Sequence, residues 1–171
     1  MTEKIKQEKT LFMTRLMTPD MSNFSGKVHG GTILKLLDEA AFTCASRYCK
    51  TYVVTKSLDQ VVFKKPIAVG DLMTFKCNIN YVGKTSMEVG IRVEGERIKE
   101  KKEYHAISSY FTMVSVDDNG KPMEVPRLDL DSEVEKKLFE AGKMRCAMRK
   151  EIQERNNQLH VSLENWINIW K

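Results

Sequence analysis

The stretch N-F-S-G-K-V-H-G-G-T-I-L-K-L-L-D, Asn23 to Asp38, runs from a glycine-punctuated polar loop through His29-Gly30-Gly31 into an apolar helix carrying one awkward carboxylate. Unpaired main-chain N–H groups at a helix start make a ready site for an oxygen bearing negative charge. Asp38, about two turns further on, supplies a base or nucleophile for the same reaction centre. Together these features point to carbonyl chemistry.

Working outward, Thr10 to Met17 reads as a first strand, stopped by Thr18-Pro19-Asp20, and the helix extends from about Gly31 to Cys49. β-Branched residues mark a strand over Tyr52 to Phe63. Leu72 to Val82 and Thr85 to Gly95 alternate apolar and polar residues at period two around a Gly83-Lys84 turn, a hairpin pattern. Glu96 to Glu103 is a charged interruption read as a solvated loop or hairpin tip. Tyr104 to Val116 is a further long strand, ended by Asp117-Asp118-Asn119-Gly120.

One strand, a long helix and then four strands is not a βαβ alternation, so a doubly wound parallel sheet is excluded in favour of an α+β fold. An antiparallel sheet wrapped around a central helix fits, and that helix must be apolar nearly all round. After Pro126 the composition changes. Asp131 to Asn156 is an alternately charged helix, exposed or packed on a partner, and Trp166, Ile167 and Trp170 share a further helical face. We therefore divide the chain into a domain over residues 1–128 and a helical C-terminal extension over 129–171.

The net charge of +5 comes from mixed charges with no nucleic-acid-binding signature, so no nucleic-acid partner is expected. No apolar run reaches the roughly 18 residues that cross a bilayer, so no membrane partner is expected either. Cys44, Cys49, Cys77 and Cys146 show neither metal-ligand nor disulfide spacing. With no secretory h-region at the start, the expected setting is the reducing cytoplasm, and no metal is expected.

At ~100° per residue, Lys35, Glu39, Thr43, Ser46, Arg47 and Lys50 share one polar arc of the helix, with Leu36 intruding. Glu39 is spaced to pair with Lys35 at i,i+4. Asp38 projects ~60° off that arc among Leu34, Phe42, Ala45 and Cys49, where a carboxylate costs free energy unless it is hydrogen-bonded or used. Two readings of Asp38 stand: an ion pair with Lys35 at i,i+3, or a catalytic base or nucleophile. Asn23 likewise either forms an Asx turn before Gly26 or contacts the reacting carbonyl. His29 either takes a catalytic role or shapes the loop and lines a pocket wall. Gly30 and Gly31 let a substrate oxygen approach main-chain N–H groups closely.

These residues resemble the hotdog-fold acyl-CoA thioesterases, in the branch of the bacterial YciA-type enzymes and the brain acyl-CoA hydrolases. The branch pattern N-x-x-G-x-x-x-G-G followed by a helical acid falls on Asn23, Gly26, Gly30, Gly31 and Asp38. Val61-x-Phe63-x-x-Pro66-Ile67-x-x-Gly70-Asp71 is similar to the family's second signature, and Gly83-Lys84-Thr85-Ser86 to its ligand-facing hairpin. The resemblance implies hydrolysis of acyl-CoA to free fatty acid and coenzyme A. Asn23 and Asp38 would be the catalytic pair, contributed across a subunit interface, and amides at Gly30 and Gly31, foremost that of Gly31, would polarise the carbonyl. His29, Thr32 and Gly83 to Ser86 would contact substrate, with Lys64, Lys65 and Lys84 available to the coenzyme's phosphates. No cofactor beyond the coenzyme A of the substrate is implied, and the assembly would be a homodimer and a trimer of dimers. The alternatives are a hotdog enoyl-thioester hydratase or dehydratase using His29 with Asp38, and a non-catalytic acyl-CoA-binding module.

Overall fold

The computed structural model describes residues 7–158, in two units that divide between Leu130 and Asp131. The tryptophan-bearing face at Trp166, Ile167 and Trp170 lies outside the described residues. The first unit holds β1 (Thr10–Leu16), a 3-10 turn at Pro19–Met21, α1 (Gly30–Cys49), β2 (Tyr52–Leu58), β3 (Leu72–Val82), β4 (Ser86–Arg97) and β5 (Lys102–Val116). The strands form one sheet in the order β1-β3-β4-β5-β2, every neighbouring pair antiparallel. Helix α1 leaves one edge strand, packs against all five strands, and delivers the chain to the other edge. This is the hotdog arrangement.

Period-two patterning puts Met73, Phe75, Cys77 and Ile79 of β3, Met87, Val89, Ile91 and Val93 of β4, and Phe111 and Met113 of β5 into one core. From α1 come Ile33, Leu36, Leu37, Ala40, Ala41, Cys44, Ala45 and Tyr48. The alanines let the helix lie close to the sheet. Each large side chain removed from water contributes about 1.5–3 kcal/mol. Leu36, which intrudes on the polar arc in projection, is buried; the curl of the sheet covers more of the helix than a straight wheel suggests.

Two boundaries differ from the sequence expectation. β2 ends at Leu58, although Val61, Val62 and Phe63 favour strand. A register shift between Thr55 and Ser57 turns the chain off the ladder, and it follows β5 by single bonds, Asp59 N–H to Tyr110 O at 3.0 Å and Lys64 N–H to Ala106 O at 3.0 Å. Freed from the sheet, residues 59–65 become a wall. Conversely, the charged Glu96 to Glu103 segment is mostly strand: Glu96 pairs with Glu103 and Arg97 with Lys102, leaving a tip at Ile98–Glu100 closed by Lys101 at φ 49°. Long charged side chains on a solvent-facing ladder satisfy the pleat while keeping their ends wet.

The second unit holds α2 (Glu133–Gln158). Ser132 and Glu135 form a capping box, Glu135 N–H donating to Ser132 Oγ at 3.2 Å and Ser132 N–H to Glu135 Oε2 at 3.1 Å. Among the described residues no helix is long and apolar enough to cross a membrane.

Candidate active site

The loop before α1 is built around Asn23. Its Oδ1 accepts from Ser25 N–H at 2.9 Å, Ser25 Oγ at 2.7 Å and Lys27 N–H at 3.2 Å. The Asx turn is therefore real, and Gly26 at φ 73° closes it. The two readings of Asn23 are compatible. With Oδ1 committed to three donors, the amide is fixed in orientation.

His29 caps the helix. Its Nδ1 accepts the Gly31 N–H at 2.9 Å, and its carbonyl accepts from Thr32 at 3.0 Å and Ile33 at 3.3 Å. Asn23 and Gly30 open on the same cleft, about 360 Å³, with Ser25, Lys27, Val28, Ile33 and the wall Phe63, Lys64, Lys65, Pro66 and Ile67. Three lysines and no carboxylate line it. Lys64 Nζ lies 3.2 Å from His105 Nδ1, and the wall is pinned by Asp71, whose Oδ2 accepts from Ala68 N–H at 3.0 Å and from the Tyr104 hydroxyl at 2.6 Å. A main-chain donor, a side-chain amide and cations around a partly apolar cleft suit a polar carbonyl carried by an anionic molecule.

Asp38 does not line this cleft. It lies on the exposed stripe of α1, and the apolar flank seen in projection is left open because Leu34 beside it is uncovered in the single chain. Among the described residues no ion pair joins it to Lys35, which pairs instead with Glu39 at 3.8 Å. Asp38 is held by β2: the Thr55 hydroxyl donates to Oδ1 at 2.6 Å. β2 is an edge strand, paired on one side only, and Tyr52, Val54 and Leu58 are exposed along it, with Tyr52 edge-on to Phe42 of α1 at 5.6 Å. Such an edge is a template for a second chain. Thr55 was missed in the sequence. Its signal is faint but present, a polar residue in phase with Val53 on the helix-facing side of β2.

The Gly83–Ser86 turn also stands apart from the cleft. Gly83 N–H donates to Ser86 O at 2.7 Å, Lys84 O accepts from Val125 N–H at 3.0 Å, and Lys84 pairs with Glu124 at 3.4 Å in solvent. Through the register Ser86–Val114–Val54 the turn shares its end of the sheet with β2, next to the rung that carries Thr55. Thr32 is half-buried in the first turn of α1. One chain thus places these residues in two separate groups: Asn23, His29 and Gly30 by the lysine-lined cleft, and Asp38, Thr55 and the Gly83–Ser86 turn at the β2 side of the sheet.

The fold is that of the hotdog thioesterases, and comparison with known proteins agrees. Residues 25–101 match the family model described as thioesterase superfamily. The chain is 48% identical over 139 residues to protein VdlD of Helicobacter pylori, covering 81% of this chain and 79% of that one. It is 39% identical to the mouse cytosolic acyl coenzyme A thioester hydrolase, covering 81% of this chain and 37% of that longer protein. Among solved structures, a hexameric acyl-CoA thioesterase superposes with TM-score 0.80 at 35% identity, covering 84% of this chain and 92% of its own. An acyl-CoA hydrolase from Staphylococcus aureus, in complex with butyryl coenzyme A and coenzyme A, gives TM-score 0.80 at 32% identity over 89% and 93% of the two chains. Alanine variants of that enzyme at an asparagine, an aspartate and a threonine have also been solved. The chain belongs to the thioesterase superfamily, among its hotdog-fold acyl-CoA thioesterases.

Proposed function

We propose that this chain hydrolyses acyl-CoA to a free fatty acid and coenzyme A at a site shared between two copies of itself. Asn23 and the helix-start glycines Gly30 and Gly31 come from one copy, and Asp38 with Thr55 from the other. The observation that carries this reading is the placement of Asp38, fixed by Thr55 at an open sheet edge and absent from the cleft that holds Asn23. Pairing of β2 with β2 of a second copy would cover Tyr52, Val54 and Leu58. The asparagine, aspartate and threonine replaced in the S. aureus enzyme are spaced in its chain as Asn23, Asp38 and Thr55 are in this one, which supports treating the three as a set.

In this scheme the thioester oxygen accepts a hydrogen bond at the start of α1, where the helix dipole favours the charge that develops in the tetrahedral intermediate. Asp38 takes a proton from the attacking water, or attacks the carbonyl itself to give an anhydride that water then opens. The C–S bond breaks and coenzyme A leaves as thiolate, recovering a proton. Lys27, Lys64 and Lys65 attract the coenzyme's phosphates, Thr32 and the Gly83–Ser86 turn contact substrate, and His29 shapes the helix start beside it. No group beyond the substrate's own coenzyme A is required. The assembly follows as a dimer and, by likeness to the hexameric thioesterases, a trimer of dimers, with the helical extension after residue 128 packing between subunits. The cytoplasm is the setting we propose, as for the cytosolic mouse relative.

The test is release of free coenzyme A from acyl-CoAs of graded chain length by wild type, Asp38→Ala and Asn23→Ala. Wild type is expected to turn over part of the panel and the variants to lose it. An inert wild type, or an Asp38→Ala protein of full activity, contradicts the proposal.

A further inference from the structure

An α-helix begins with four N–H groups that have no partner within the helix. In α1 these belong to His29, Gly30, Gly31 and Thr32. The His29 N–H donates to Met21 O at 2.8 Å, and His29 itself accepts two more, its ring Nδ1 from Gly31 at 2.9 Å and its carbonyl from Thr32 at 3.0 Å. The fourth, on Gly30, has no acceptor among the described residues, and Gly30 lines the cleft beside Asn23.

The two glycines have different reasons to be glycine. A Cβ on Gly31 would lie 3.0 Å from His29 Nδ1 and 3.2 Å from Cε1, so the missing side chain makes room for the imidazole that caps it. A Cβ on Gly30 would meet only the Phe63 ring edge at 3.6 Å, ordinary contact distance. The bare Gly31 thus makes room for its cap, whereas the fold does not crowd Gly30.

We infer that His29 is a positioning residue which, by occupying the Gly31 N–H, leaves Gly30 as the single main-chain donor offered to the substrate's carbonyl oxygen. An imidazole accepting at Nδ1 carries its proton on Nε2, so the cap requires the neutral ring. Held at N-cap, position N1 and position N2 in sequence, the His29–Gly30–Gly31 turn fixes where the Gly30 N–H points before substrate arrives, which is where an oxyanion donor gains most of its effect. The inference rests on the hydrolytic reading above and replaces the expectation that Gly31 supplies the foremost donor.

Selective ¹⁵N-glycine labelling of the full chain, which has nine glycines, tests it directly. The probe is an acyl-CoA ketone with a methylene between sulfur and carbonyl, which binds but cannot be hydrolysed. The Gly30 amide proton is expected to move downfield on binding while Gly31 stays put. His29→Phe, which keeps a ring and removes the acceptor, should lower kcat by about tenfold with KM within about twofold. His29→Asn, whose Oδ1 caps the N2 amide, should bring kcat back to within about threefold of wild type. Movement of Gly31 rather than Gly30, or a His29→Phe kcat equal to or above wild type, overturns the inference. If wild type releases no coenzyme A from any acyl-CoA, the hydrolytic reading fails first. If Asp38 is needed and Gly31 is the amide that moves, only the assignment to Gly30 fails.

Discussion

Thr55 donates its hydroxyl proton to Asp38 Oδ1 at 2.6 Å, joining the edge strand β2 to the exposed stripe of helix α1. A hydrogen bond to a charged acceptor is worth about 1.5–3 kcal/mol, and here it also selects one carboxylate rotamer. Thr55→Val keeps the β-branched shape and removes the donor. We expect kcat to fall by about one to two orders of magnitude with little change in KM, since each tenfold in rate corresponds to about 1.4 kcal/mol of barrier. Thr55→Ser should recover most of the rate. Coenzyme A release under saturating substrate measures both.

Asp38→Asn retains the size of the side chain and an oxygen that can accept from Thr55, but not the base. General base catalysis contributes about 10²–10⁴-fold, and a loss of that size is expected in kcat with the melting temperature held within a few degrees. Glu39→Gln, one residue on, should leave kcat unchanged, because Glu39 pairs in solvent with Lys35.

The pairing of Glu39 with Lys35 was legible in the sequence because helical projection needs only the helix, and α1 is long and strongly patterned. The β3–β4 hairpin was legible for the same reason, its period-two pattern being local. What escaped depended on curvature and on a second chain. Asp38 projects onto an apolar flank, yet in one chain that flank faces solvent, since the sheet stops at β2. The segment Val61 to Phe63 has strand residues and is not strand, because a bulge at residues 55–57 had already turned it away. Thr55 looked like one more β-branched residue. The Gly31 cap was hidden by the ordinary role of His-Gly-Gly as a turn; only the ring position distinguishes the two glycines.

Acid stability should follow Glu8. Its hydrogen bond with Lys50, then that with Arg47, holds its carboxyl down from the ordinary 4.5 to about 2. A carboxylate depressed in the folded chain stabilises it above the unfolded value and loses that contribution as pH falls through the folded one. The melting temperatures of wild type and Glu8→Gln should therefore differ at pH 6, converge between pH 4.5 and 2, and differ less in high salt, because the group is exposed. Differential scanning calorimetry across that range provides the comparison.

Gly95→Ala should destabilise the domain. A Cβ there would fall 2.4 Å from Tyr104 Cζ, and the buried ring cannot swing aside while its hydroxyl donates to the buried Asp71 carboxylate at 2.6 Å. Overpacking of this kind costs about 1–3 kcal/mol. Chemical denaturation should show the loss as a lower midpoint with an unchanged slope.

Subunit mixing tests the shared site most directly. Asn23→Ala and Asp38→Ala proteins, each inactive alone, are dissociated, mixed in equal amounts and reassembled. If one copy supplies Asn23 and the other Asp38, half the dimers are mixed and each mixed dimer carries one intact site, so about a quarter of wild-type coenzyme A release should return. If the mixture stays as inactive as its parents while wild type carried through the same treatment recovers, the two residues do not meet across an interface and the account is wrong.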